Sequence, residues 1–468
     1  MRMQSFGILL VALVVNAGLC ERAMGQVAGA TTVQLPTFGV AINADGVLSL
    51  KAFEDPTGQL HAARLQAAKM QLAANLLAPS KMRKISLIRL ESAVRRAIEA
   101  GKKPDQEMAY LAGLQRLQYV FYEPHSHDIV VAGPAEGFAP DMAGRMCGIA
   151  SGRPTLRLDD LAVALRAFLP ARPPTPFIGC TIDPTQKAMS QLQAFQKTVP
   201  RVIPEANRAE TGQRIAEGMR SALGIAPIRV FGISPRSHCA QVLVEADYRM
   251  KLIGIGLEQP PVRIPSYFEL VAAGGRQGVL QRWWFTPNYA CVRVSQDRQA
   301  MQLVGDGVEL LTEAKMIAAG GELKNAVGSN GASEKFAAAF TKQFPRLAER
   351  SAVFAELRNT IDLLVACAYI QQQDFATKAD WKMATFASEQ AISVETGPAP
   401  KEVACAVNAG WHGSRFVAVA GGGVSITPAK AIAADQLLPD KDGKLEPLRD
   451  EALRNAAKNG QGDRWWWD

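Results

Sequence analysis

His125-Ser126-His127-Asp128 is the first stretch of the chain whose residue types could do chemistry. Two histidines one residue apart beyond a strand can share a zinc or iron ion, since imidazole nitrogens suit both. The dinuclear zinc hydrolases use H-x-H-x-D-H, and here the last two positions are Ile129 and Val130. Only His61, His238 and His412 remain to complete a site. The loop therefore reads first as a hydrophilic hairpin connection, with His125 and His127 as metal candidates and no cofactor expected.

Ser237-His238-Cys239 sets a nucleophile beside a base. Neighbours on a helix point in different directions, so Ser237 reads better as the N-cap of the helix that begins there. Within that helix Glu245, Asp247, Arg249 and Lys251 form a dense charged run. Glu245 and Arg249 are four apart and can pair on one face. Paired carboxylates can do acid–base work on a glycan, which makes Glu136, Glu245, Asp247 and Arg249 the catalytic candidates. A solvated charged face is the simpler account. Gly133-Pro134-Ala135-Glu136-Gly137 and Gly421-Gly422-Gly423 follow strands but lack the Lys-Ser/Thr of a phosphate loop. Both read as turns needing positive φ. Trp283-Trp284 on an alternating strand sends one indole to each face, one to the core and the other to a stacking platform, so the pair are the ligand-binding candidates.

The elements that would position these residues follow from period and punctuation. Residues 38–53 alternate around Asn43-Ala44-Asp45-Gly46, a strong hairpin signal. A long helix follows from Asp55-Pro56-Thr57-Gly58 to about Leu77, with further helices over 87–100 and 105–117. Tyr119–Tyr122 and Ile129–Ala132 pair as strands, with Gly133-Pro134 ending the second. From Thr155 strands and helices alternate, with strands at 177–182 and 228–233 and a long helix over 238–255. A second β-rich stretch covers 280–304. Residues 333–373 are helical, broken at Pro345, and the half from Ala352 to Gln372 is apolar on most sides, as a central buried helix is. A late strand covers 415–420. The fold class is α+β (mixed α/β), with helices packed on mixed or antiparallel sheets in more than one sub-domain. The expected division is 38–150, 151–330, 331–430 and a polar, disordered tail over 431–468. Trp465-Trp466-Trp467 within that tail could dock into a groove or a membrane interface.

Nearly half of the 468 residues are hydrophobic and about a fifth are charged, ordinary values for a globular protein. Residues 1–25 form an export signal, with Arg2, an apolar run over 6–17 and cleavage after Gly25 at Ala23-Met24-Gly25. Cys20 raises a lipoprotein alternative, but Leu19 ahead of it is not the small residue that route needs. The protein is thus expected in the periplasm or outside the cell, and no other stretch approaches a membrane span. The formal charge is +8. Lys81, Arg83, Lys84, Arg89, Arg95 and Arg96 gather part of it and could meet an anionic envelope component; export argues against nucleic acid. Cys147, Cys180, Cys239, Cys291, Cys367 and Cys405 are widely spaced, with no C-x-x-C pair. They read as mostly free and buried.

The chain resembles a family of large exported proteins from planctomycete bacteria, catalogued as a domain of unknown function. The residues that carry the resemblance are 53–58 (FEDPTG), 110–116 (YLAGLQR), 129–137 (IVVAGPAEG), 242–251 (VLVEADYRMK), 281–285 (QRWWF) and 370–374 (IQQQD). It covers about Phe38 to Ile426 and implies no activity, cofactor or catalytic residue. It implies that the His125–His127 loop is not reliably histidine-bearing and draws attention to the 242–251 helix and the 133–137 loop. The reading is then an exported protein of structural or binding type in the envelope or periplasm. The alternative is a hydrolase acting on envelope polysaccharide or peptide with clustered carboxylates.

Overall fold

The computed structural model describes residues 37–53, 55, 57–199, 208–271, 280–312, 331–412, 414–459 and 464–468. The expected export signal and cleavage site lie outside the described residues.

The hairpin at Asn43–Gly46 forms as its residues dictate. Strands β1 (Thr37–Ile42) and β2 (Val47–Phe53) pair antiparallel. Asn43 Oδ1 accepts from the backbone of Asp45 and Val47, and Gly46 takes φ 91°. These strands open a mixed nine-stranded sheet in which β2 is followed by β14 (Glu402–Ala404), β9 (Ile225–Phe231), β8 (Ile178–Ile182), β16 (Ser414–Ile426), β10 (Leu280–Pro287) and β13 (Val308–Thr312). β15 (Val407–His412) pairs with β16 off that path. β10 runs parallel to β16. A seven-stranded sheet is built around β4 (Tyr119–Glu123), β5 (Asp128–Ala135) and β3 (Ser80–Ser86). The small hairpin of β6 (Phe138–Pro140) and β7 (Met146–Gly148) stands apart from both. The fold is mixed α+β, with helices packed on these sheets.

Among the helices, α1 (Gln59–Gln71) stops short of the expected Leu77, and α2 (Leu87–Glu99) caps on Ser86. α3 (Leu158–Ala167), α4 (Gln186–Thr198), α5 (Arg208–Leu223) and α6 (His238–Gly254) follow. α7 (Gly331–Arg350) runs straight through Pro345, and the break falls at Ser351 instead. From Val353 to Ile370 every residue of α8 (Ala352–Gln372) is buried. α6 lies on β8 and β16, and α8 packs on both α6 and α3. Phe285, Phe336, Phe340, Phe344 and Phe354 lock α7 and α8 to β10 edge to face. One core runs from Leu48 to Trp466, so the four stretches share a core. The six cysteines are free and buried.

Two expectations are corrected here. The glycines at 421–423 do not form a turn; they lie inside β16. A Cβ at Gly422 would sit 1.8 Å from the Trp283 carbonyl oxygen and one at Gly423 2.0 Å from that of Cys180, so close strand approach excludes side chains. Gly133 and Pro134 likewise lie inside β5. The second correction is the tail. Residues 445–459 form helix α9, and Trp466–Trp467 form β18, antiparallel to β3. All three tryptophans are buried, because three indoles remove more apolar surface from water than the polar residues around them oppose. Trp466 is stacked between Arg83 and Arg464, each 4.4 Å from its ring centre. The fully buried Arg83 donates to both oxygens of Asp468, at 2.9 and 3.0 Å.

That clasp disposes of part of the basic patch. Arg83 and Lys84, on opposite faces of β3, are both buried, and burial lowers the Lys84 pKa. Lys81, Arg95 and Arg96 remain exposed, while Arg89 leans on Asp128 at 3.6 Å. Trp466→Ala should therefore destabilise the protein by about 3–5 kcal/mol in urea unfolding. A loss below about 1 kcal/mol would mean that the 464–468 segment does not hold the sheet.

Candidate functional site

Helix α6 begins where its sequence says it should. Ser237 accepts from the Ala240 N–H at 3.2 Å and donates to the Ser234 carbonyl at 2.7 Å. Fully buried and committed at both ends, it is a cap and not a nucleophile. His238 is the first residue inside the helix. Its Nδ1 lies 2.8 Å from Oδ2 of Asp160 in the first turn of α3, and Cys239 Sγ donates to the other Asp160 oxygen at 3.0 Å. Burial pushes the Cys239 thiol well up, so it stays protonated.

His238 opens onto a cavity of about 210 Å³. Its walls come from the β1–β2 hairpin, the β6–β7 hairpin, and helices α6 and α8, with Thr155 and Arg157 from the segment before α3. Arg145, in the turn between β6 and β7, reaches across it. Its Nε donates to Glu356 Oε2 at 2.9 Å and its Nη2 to Glu245 Oε2 at 2.5 Å. Arg157 grips Asp159 through Nε and Nη2, at 2.9 and 2.7 Å. Glu356 Oε1 stands 3.8 Å from His238 Nε2. That is too far for a direct hydrogen bond and suits a bridging water or hydroxyl.

The electrostatics separate the groups. Burial works against charge on His238, but Asp160 outweighs it and raises the imidazole pKa above 6.5. Burial likewise opposes ionisation of Asp160, and the His238 charge overrides it to leave the carboxyl lowered. Burial raises the Glu245 carboxyl despite Arg145 and Arg249, with Glu356 adding to the rise. Burial also disfavours the Arg145 cation, yet Glu356 and Glu245 hold it charged. Titratable groups pushed apart in one cleft are a signature of acid–base sites.

The residues singled out from sequence scatter with respect to this cleft. Glu245 lines it, and Arg249 sits behind, 3.7 Å from Glu245 and bonded to Glu258. Asp247 does not reach it: Lys251 bonds it at 2.6 Å on the sheet side of α6, and burial pushes its pKa up to about 6 against that pull. Glu136 is elsewhere, its Oε1 taken by Gln115 and by Ser151. Trp283 is core, donating to Ser333 Oγ at 2.8 Å. Trp284 is half-buried under Arg282 and lies outside the cleft. His127 takes positive φ and meets the Lys378 carbonyl at 2.9 Å; His125 borders a separate surface groove. Among the described residues no group of three or more His, Cys, Asp or Glu is arranged to hold a metal, so His125 and His127 have no third ligand there.

Asp160, Arg145, Arg157 and Glu356 went unread in the sequence. Two signals pointed to Asp160 and Glu356: paired aspartates opening a helix at 159–160, and Glu356, Arg358 and Asp362 on an otherwise apolar helix. A charge on a buried helix needs a partner, so such residues mark a buried site.

The fold and cleft thus define a mixed α+β protein with a polar, acid–base cavity. A family described as "Protein of unknown function (DUF1598)" matches residues 180–267, from β8 through α6, which carry His238 and Glu245. No curated protein and no solved structure matches the chain. No helix among the described residues is long and apolar enough to cross a membrane.

The stability supplied by the Asp160–His238 pair has a definite pH window. The Asp160 contribution is present above about pH 3.8 and fades as pH falls through its lowered pKa. The His238 contribution is present below about pH 6.5 and fades as pH rises through its raised pKa. In a heteronuclear NMR titration His238 should keep its proton above pH 6.5, and Asp160→Asn should abolish that rise and cost about 3–5 kcal/mol as a broken buried pair. An unchanged His238 titration in the variant would dissolve the pair.

Proposed function

We propose that the protein is an exported hydrolase acting on envelope polysaccharide or peptide, with the Asp160–His238–Glu356 cleft as its active site. One observation carries this: the 3.8 Å gap between His238 Nε2 and Glu356 Oε1, open to a cavity and backed by Asp160. A water beside the two atoms, on their cavity side, accepts from Nε2 and donates to Oε1. Glu356 takes the proton as that water attacks, and the imidazolium delivers a proton to the departing oxygen or nitrogen. Asp160 orients the ring and favours its charged form, and Glu245 with Arg145 fixes Glu356. Export rests on the pattern of residues 1–25 and the resemblance to exported planctomycete proteins. The purely structural reading drew on the export pattern, the absence of a catalytic motif and the basic stretch, and that stretch has lost Arg83 and Lys84 to the interior.

Purified protein incubated with cell-wall polymer should release new reducing ends or free amines. His238→Gln and Glu356→Gln should each lower that rate at least ~100-fold while unfolding cooperatively. The rate should fall on the alkaline side through the raised His238 pKa, and Asp160→Asn should move that limb to lower pH. Wild-type rates matched by both variants would remove the cleft from the chemistry.

A further inference from the structure

We infer that the group entering this cleft carries a carboxylate, held by the free edges of Arg145 and Arg157 beside His238. The inference rests on the same cleft being the active site. Each guanidinium is fixed through its Nε and Nη2: Arg157 by Asp159, Arg145 by Glu356 and Glu245. In neither case does Nη1 have a hydrogen-bond partner among the described residues. Both arginines line the cavity, and burial leaves part of each accessible, 13% of the Arg145 side chain and 29% of Arg157. Gly39, also in the wall, presents no side chain to Arg145; a Cβ there would come within 3.5 Å of Nη1.

A guanidinium held on one edge by a carboxylate presents its remaining N–H groups in a set direction, and it recognises a planar oxyanion better than a mobile lysine would. His238 Nε2 stays with the water it shares with Glu356, so the two guanidinium edges are the donors to the carboxylate. The cavity, about 210 Å³, is smaller than the ~300 Å³ at which drug-sized sites begin. It accommodates one terminal residue of a larger molecule. Two sources present such a carboxylate, an acidic sugar and the C-terminal residue of a peptide.

Calorimetric titration of wild-type protein with glucuronate and with N-acetylalanine, each against its uncharged amide and against inorganic phosphate, tests this without any variant. At least one acid should bind ten times or more tighter than its amide, and the preferred acid identifies the source. Arg157→Gln should weaken that acid at least tenfold while His238 still titrates above pH 6.5, since the Arg157 charge works against the imidazolium. Amides that bind as well as the acids, or phosphate that outbinds both, would overturn the inference. If neither acid binds while Glu356→Gln still abolishes polymer cleavage, the carboxylate falls and the acid–base reading stands. Acid-selective binding with cleavage indifferent to His238 and Glu356 would do the reverse.

Discussion

One buried ammonium holds the arrangement together. Lys251, near the C-terminal end of α6, donates to the Ile182 carbonyl at 2.8 Å, to the Gly422 carbonyl at 3.2 Å and to Asp247 at 2.6 Å. Those carbonyls belong to adjacent strands, β8 and β16, so one side chain pins the helix across two strands of the nine-stranded sheet. A cation suits the negative end of a helix dipole. An ammonium taken out of water persists only with its charge and donors answered, and here one carboxylate and two carbonyls answer it. Gly422 makes the third bond possible: its φ of 113° and close approach to Trp283 are open only to glycine. Removing Lys251 alone would leave Asp247 buried and unmatched, a worse state than replacing both residues by apolar ones.

Pinning the C-terminal half of α6 places its N-terminus. Ser237 and His238 then sit where α3 brings Asp160 and where α8 brings Glu356. Arg145 arrives on a hairpin outside either sheet and ties α6 to α8 through Glu245 and Glu356. Charge thus runs through the middle of the molecule along two otherwise buried helices. Polar groups there cost stability unless they are matched, and most are. Glu245 Oε1 and Asp247 Oδ1 each lack a hydrogen-bond donor, and burial favours the proton on both carboxyls.

What could be read from the sequence was local. The Asn43–Gly46 turn, the Ser237 cap, the buried 352–372 helix and the division of Trp283 and Trp284 between two faces each follow from residues within a turn or two of one another. The cleft was not legible because its members are remote: His238 and Asp160 are 78 positions apart, Arg145 and Glu356 are 211. The i, i+4 spacing of Glu245 and Arg249 was real, but it did not say which side of α6 faced a cavity. Asp247, two residues on, turned to the sheet. Polarity misled at 431–468, where a run of charges was outweighed by three indoles and an edge strand waiting for a partner. It misled again at Arg83 and Lys84, because residues 464–468 fold back onto β3, where Arg83 stacks on Trp466 and bonds Asp468.

Those two errors have a common physical root, and it bears on the cleft. Composition counts charges without asking what each is bonded to. The cavity wall sets Arg145, Arg157 and His238 against Glu245 and Glu356, so its net field is small and steers ions weakly from a distance. Recognition there must come from direction: which edge of each guanidinium is already occupied, which carboxylate oxygen is left without a donor, and how far it stands from an imidazole N–H. Fixed donors and acceptors of this kind discriminate by geometry and dehydration more than by steering. A site of that sort is invisible in net charge and in motif spacing, because its specificity lies in which half of each side chain the fold has left unused.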